Sequence, residues 1–268
     1  MSGRWSALVA LAVGAGSAIG GAAAAPGTTP LDQPDLDGGT AVRAVLDVQR
    51  VTTSAYDPAV VAPILTVAAT AQVGPVTLGA QLPTLLVIYV GDVTASAQYA
   101  RPVTACVVAG LGAAWTVPST TIAKAGGLAH ALPRDAHRFF DRGHVAQLHG
   151  DVRWQAGDLT VQGQLGVDDY LIADWRDQLL LRAALAATVA VAPRWWLTVE
   201  GTALSDVIDE EWDEGADLVG SASLAVRTRV RSGVVGVHGV GHHSVADGVV
   251  PADTWALGVD AAFPVEGW

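Results

Sequence analysis

The sequence predicts an all-β fold: a single transmembrane antiparallel up-and-down β-barrel of about twelve strands. Three observations predict it. The 268 residues are 51% hydrophobic, with mean hydropathy +0.37 and only 15% charged, yet outside the N-terminus no apolar run reaches the roughly 18 residues of a helical membrane span. From Ala41 onward, short segments alternate apolar with polar side chains, the period of a strand whose two faces meet different surroundings. Finally, the links between these segments sort into short and long in alternation, as the turns and loops of a membrane barrel do. Thirty glycines and a single methionine agree with strands rather than helices.

The first residues read as an export signal. MSGR is a short positive region, WSALVALAVGAGSAIGG an apolar one, and AAAA a small-residue cleavage zone ending near Ala24. A membrane anchor helix is the competing reading, but the segment is short and broken by glycines. The mature chain then opens with a Pro/Gly/Asp-rich stretch over residues 25–40, expected to be flexible, and residues 41–268 form the barrel.

Twelve strands follow in order, at residues 41–52, 63–73, 75–87, 92–100, 103–117, 144–156, 158–171, 178–192, 194–204, 217–230, 233–243 and 254–265. The eighth segment carries an apolar run interrupted by Arg182, and the seventh, DLTVQGQLGVDDYL, alternates most cleanly. Short turns are expected at Val73–Pro75, Ala100–Pro102, Ala156–Asp158, Ala192–Arg194 and Arg231–Gly233. Longer loops are expected at 54–62, 118–143, 172–177, 205–216 and 244–253, with a short link at 89–91. Aromatics cluster at strand ends: Trp154, Trp195, Trp196, Tyr99 and Phe263 beside the short turns, and Trp115, Tyr89, Tyr170 and Trp255 beside the loops. Two girdles at the headgroup level follow from that placement.

One face of each strand holds nearly every mid-strand charge: Arg43, Asp47, Asp151, Arg153, Arg182, Glu200, Arg227, Arg229 and Asp260. An arginine facing lipid at mid-membrane costs about 2–4 kcal/mol, so these residues belong in the lumen. There they either pair as braces or line a path for solute. Gly79, Gly110, Gly112, Ala184 and Ala186 leave room on that face. In the strand at 158–171, Thr160, Gln162 and Gln164 should be wet, and Leu159, Val161, Leu165 and Val167 should face lipid.

The longest loop carries Arg134, Arg138, Phe139, Phe140 and Arg142, candidates for a gate folded into the mouth or for contact with lipopolysaccharide phosphates. An ordinary surface loop is the plainer alternative. Six carboxylates around Trp212 lack the spacing of a calcium loop and read as a solvated acidic loop. His238 and His242 share a face but lie about 13 Å apart on a strand, too far for one ion, so no metal and no cofactor is expected. The sole cysteine, Cys106, excludes an internal disulfide. With net charge −11 and no concentrated basic patch, nucleic acid is not an expected partner. No nucleophile elbow or Ser/His/Asp arrangement appears, so no enzyme is expected either.

The run YVGDVTASAQYA, a glycine-rich strand and AAWTVPSTT, together with VAVAPRWWLTVEGTAL, resemble the outer-membrane transporter family of the phenol meta-pathway barrels and, more distantly, the long-chain fatty-acid transporters. The resemblance covers about residues 87–204. Gln98 stands where that family has lysine, Pro118-Ser119 replaces a fuller Pro-Thr-Gly, and residues 26–40 are too short for the fatty-acid transporter's plug domain. What the resemblance implies is an outer-membrane barrel passing small solutes, apolar ones among them. The C-terminal LGVDAAFPVEGW has the look of a barrel-assembly signal, with Pro264 and Glu266 as interruptions. The expected setting is therefore the bacterial outer membrane, its lipid and lipopolysaccharide, the assembly machinery and a small-molecule solute. A structural or surface-interaction barrel with a side-chain-filled lumen is the alternative.

Overall fold

The computed structural model describes Leu36 and residues 40–53, 56–85, 89–119, 143–172, 178–206, 218–244 and 253–265. Thirteen strands are ordered along the chain: β1 (Ala41–Thr53), β2 (Tyr56–Val73), β3 (Val76–Leu85), β4 (Tyr89–Val90), β5 (Val93–Thr104), β6 (Val107–Val117), β7 (Gly143–Ala156), β8 (Leu159–Ile172), β9 (Gln178–Ala192), β10 (Trp195–Asp206), β11 (Leu218–Val230), β12 (Gly233–Ser244) and β13 (Asp253–Pro264). Twelve are full staves of one antiparallel wall, and β4 is a two-residue strand hydrogen-bonded to the end of β3. The wall closes because β1 pairs with β13 from Ala41↔Pro264 to Thr52↔Asp253, and Val265 N–H extends the ladder to Thr40 O at 2.9 Å. Closure removes the free edges that an open sheet would leave in lipid. No helix of the described residues is long and apolar enough to cross a membrane.

Turn chemistry explains one rim. Val73↔Val76, Thr104↔Val107, Ala156↔Leu159, Ala192↔Trp195 and Val230↔Gly233 are each bridged by two residues. Gly74 (φ 62°) and Gly157 (φ 57°) take the left-handed conformation at the first bridging position, where the primed hairpin turns require it. Arg231 takes the same conformation at φ 54° without glycine's freedom. Four of the five expected turns fall where the residues placed them.

The fifth does not. Ala100–Pro102 continues β5, with Arg101 opposite Ala109 and Pro102 opposite Val108, and the turn is Ala105–Cys106. Proline misled the reading: it sits beside a register shift between Pro102 and Thr104, where its missing N–H is tolerated. The expected loop at 54–62 is also mostly strand, since β2 begins at Tyr56 and Val51 pairs with Val60.

The alternation sets which face is which. In β8, Leu165 is 66% exposed while the neighbouring Gln164 is 6% exposed. Leu159 is exposed outward like Leu165, with Val161 and Val167 on the same half-exposed face, and Thr160, Gln162 and Gln164 are buried inward. Around the wall, Val48, Leu78, Leu111, Leu148, Val152, Leu185, Val199, Leu224, Val237 and Leu257 continue the exposed apolar belt. Trp154, Trp195, Tyr99 and Phe263 are exposed near the turn rim, and Trp115 and Trp255 near the other. Two expected girdle residues instead face inward. Trp196 is 4% exposed and Tyr170 2%, because each lies on the lumen parity of its strand. Strand position was read correctly for them, but parity was not applied.

Candidate transport lumen

All nine charged residues expected in the lumen are on the inward face. Asp47, Asp151, Arg153, Arg182, Glu200, Arg227 and Asp260 are buried there, and Arg43 and Arg229 are half-buried near the turn rim. They do not stand apart as isolated charges. Most gather into three groups whose members come from different strands.

The first group spans four adjacent strands. Arg227 of β11 donates from Nε to Asp260 Oδ2 of β13 at 3.0 Å, and Arg43 of β1 approaches the same oxygen at 4.0 Å. His238 of β12 lies between two carboxylates, its Nε2 2.6 Å from Asp47 Oδ1 and its Nδ1 3.5 Å from Asp260 Oδ1. Room for that ring comes from Gly258, where a Cβ would collide with both the Asp47 carboxylate and the His238 imidazole.

The second group centres on Asp151. Gln98 donates from Nε2 to its Oδ2 at 3.2 Å, Gln164 donates to its Oδ1 at 3.0 Å, and His149 Nε2 lies 3.5 Å away. Two amides and an imidazole thus replace water around a buried carboxylate. In the third group, Arg182 of β9 donates from Nε to Asp168 Oδ2 of β8 at 3.0 Å, and its terminal nitrogen reaches the same oxygen. Farther along the wall, Arg229 lies over the Trp196 ring at 5.6 Å, a cation–π distance. Hydroxyl pairs fill intervening positions: Thr94 with Thr116 at 2.8 Å and Thr188 with Thr198 at 2.9 Å.

Several of these residues escaped the sequence reading. Asp168 and Tyr170, near the loop end of β8, both turn inward. Counting by two from Thr160, Gln162 and Gln164 would have found them. His238 was weighed only as a metal ligand, and its true partners, Asp47 and Asp260, are 191 and 22 residues away along the chain. Gln98, noted only as a departure from the resembled family, turns out to hold Asp151. The space beside the small residues is taken up by neighbours: the His149 ring occupies it at Gly112, Leu36 at Gly110 and the Ser96 hydroxyl at Gly79, while Ala184 and Ala186 are themselves covered.

Leu36 is the one described residue of the segment before Thr40. It is 4% exposed, and a Cβ on Gly110 would come within 2.9 Å of its Cδ2 and 3.2 Å of Gln98 Nε2. An apolar side chain from outside the strands therefore sits inside the wall, next to the Asp151 group. The gate-loop candidates Arg134, Arg138, Phe139, Phe140 and Arg142 lie outside the described residues, as do the side chains of His242 and His243 and the acidic loop around Trp212. At the foot of the longest loop, Ser119 N–H donates to Asp92 at 2.8 Å and its hydroxyl to Gly91 O at 2.7 Å, joining both ends of the β5–β6 hairpin. Among the described residues no cluster of three or more His, Cys, Asp or Glu forms a metal site.

A closed wall of twelve full strands with charges inside and leucines outside decides the architecture. Its fold is that of the twelve-stranded outer-membrane barrels. The barrel is similar to the COG4313 outer membrane channel from Pseudomonas putida F1, with TM-score 0.61 and 15% identity over 88% of this chain and 99% of that one. It is also similar to the NanC porin, at 0.58 and 12% over 82% and 100%. A third likeness is to the KdgM porin in complex with disordered oligogalacturonate, at 0.51 and 7% over 83% and 99%. No protein-family model matches the sequence, and no curated protein matches it. At these identities the likeness is one of fold.

Proposed function

We propose that the protein is a restrictive channel of the bacterial outer membrane, passing small solutes selected by its charged and amide-lined lumen. The observation that carries this reading is the polar lining: buried Asp, Glu, Arg, His and Gln side chains from nine strands point to the inner side of the wall. Leu36 and His149 occupy the space beside Gly110 and Gly112 on the inner face, which favours selective over general diffusion. Lumen residues also include Leu36, Ile64, Val145, Leu204 and Tyr170, so solutes with both polar and apolar parts fit the lining better than wholly apolar ones. The resemblance to the phenol meta-pathway barrels supports the small size of the solute.

Delivery follows the same reading: export through the N-terminal signal cleaved near Ala24, then insertion by the barrel-assembly machinery beside lipopolysaccharide. Conductance of the refolded protein in planar bilayers, with solute flux into liposomes, tests it. Small discrete openings are expected, enlarged by Leu36→Ala. Absence of both conductance and flux would establish the second reading, a braced structural barrel, which the dense ion pairing favours.

A further inference from the structure

Adjacent strands of this barrel are joined in sequence everywhere except at one place. β1 and β13 meet at the seam, with more than two hundred residues of chain between their paired positions. Every other long neighbour pair is joined by a two-residue turn or by one loop, the longest between β6 and β7, so its ends are held far closer by the chain itself. The seam has no such tether, and it must form after the strands at both ends of the chain are in place.

The Asp47–His238–Asp260–Arg227–Arg43 group sits on this seam. Two of its members belong to the first strand, one to the last, and the other two to β12 and β11. Two of its contacts cross from β1 to the C-terminal strands, His238 to Asp47 and Arg43 to Asp260, and the imidazole links Asp47 to Asp260 through its two nitrogens. The backbone is cut away to admit them. Gly258 lies directly between Asp47 and His238 in the register, and a Cβ on Gly236 would come within 2.9 Å of Asp260 Oδ1. The Asp151 and Asp168 groups, by contrast, bind strands that the chain already connects through β5–β9.

We infer that this group is a closure lock: a buried ionic clasp that fastens the first strand to the last three and holds the barrel shut where the chain supplies no tether. The inference stands whether or not the lumen conducts, because its readout is barrel opening rather than flux. Each side of the lock has a residue that can be neutralised without a large change of shape, Asp47→Asn on β1 and His238→Gln on β12.

The test combines these with a reporter disulfide across the seam. Leu46 and Val259 are register partners on the outward face, so Leu46→Cys with Val259→Cys in a Cys106→Ser background can bridge β1 to β13 away from the lock. The temperature at which the folded electrophoretic band converts to the unfolded one is read with the bridge reduced and oxidised. Asp47→Asn and His238→Gln are each expected to lower it by about 5–10 °C when the bridge is reduced. Oxidation should restore most of that loss. A control bridge at the hairpin partners Leu148 and Val167 of β7 and β8 should restore none of it. If His238→Gln does not assemble, Asp47→Asn carries the same comparison. No shift in either variant, a shift that the oxidised seam bridge leaves untouched, or equal rescue by the control bridge would each overturn the lock.

Discussion

The outer and inner faces of the wall share strands, hydrogen bonds and backbone, yet they obey opposite rules. On the outside, Leu165 and Leu185 are more than half exposed and touch almost nothing of the protein. On the inside, Asp168 and Arg182, each three residues away on the same strands, are buried and bound to one another. Lipid accepts an isolated leucine without cost, so the outer face is selected only for apolarity. The charges on the inner face are buried, so they are selected for specific partners. One face is a pattern and the other is a set of pairs.

The sharpest way to break that contrast is to orphan a charge inside. Asp168→Ala leaves Arg182 buried without its carboxylate and is expected to cost about 3–5 kcal/mol, seen as a lower band-conversion temperature. Asp168→Ala with Arg182→Leu should recover much of it. If the double variant is no better than the single one, the pair is not what holds these positions.

Next comes the exchange of faces. Val161→Arg places a charge against lipid and is expected to cost about 2–4 kcal/mol, blocking assembly into vesicles, whereas Gln162→Arg on the lumen side should assemble. Equal assembly of the two would show that the faces are misassigned. A milder probe is Gln164→Leu, which removes one of the donors to Asp151 and should cost about 1–3 kcal/mol, provided the chemistry of that group rather than its volume matters. Gln164→Glu, of similar size, should be at least as harmful.

The smallest effect lies at the rim, where neither rule operates. Arg231 holds a left-handed conformation in its turn, so Arg231→Gly should stabilise the barrel by about 1 kcal/mol or less. A loss of stability would mean that the Arg231 side chain contributes more than its backbone costs.

Much of this architecture was legible in the residues. Period-two alternation located all twelve full strands, and four of five short turns declared themselves through Gly74, Gly157, Pro193 and Arg231–Ser232. Seven of the nine charges placed by parity on the inner face are buried, and Arg43 and Arg229 are half-buried. The errors have physical causes. Pro102 looks like a turn residue, yet beside a register shift a strand can spare its N–H. Trp196 and Tyr170 look like girdle aromatics, and only the facing of their strands shows that they point inward.

Sequence alone determined the closed wall and which side of it is dry, because both follow from local alternation and from the cost of placing charge in lipid. It also determined the short-turn rim, through a few residues that take unusual backbone conformations. Which charge meets which was decided only by the tertiary structure. His238 comes to rest between Asp47 and Asp260, and Gln98 beside Asp151, through the register of strands far apart in the chain. Leu36 reaches Gly110 from outside the strands altogether. Pairing of that kind depends on how twelve strands are staggered around one axis, and no single strand carries that information.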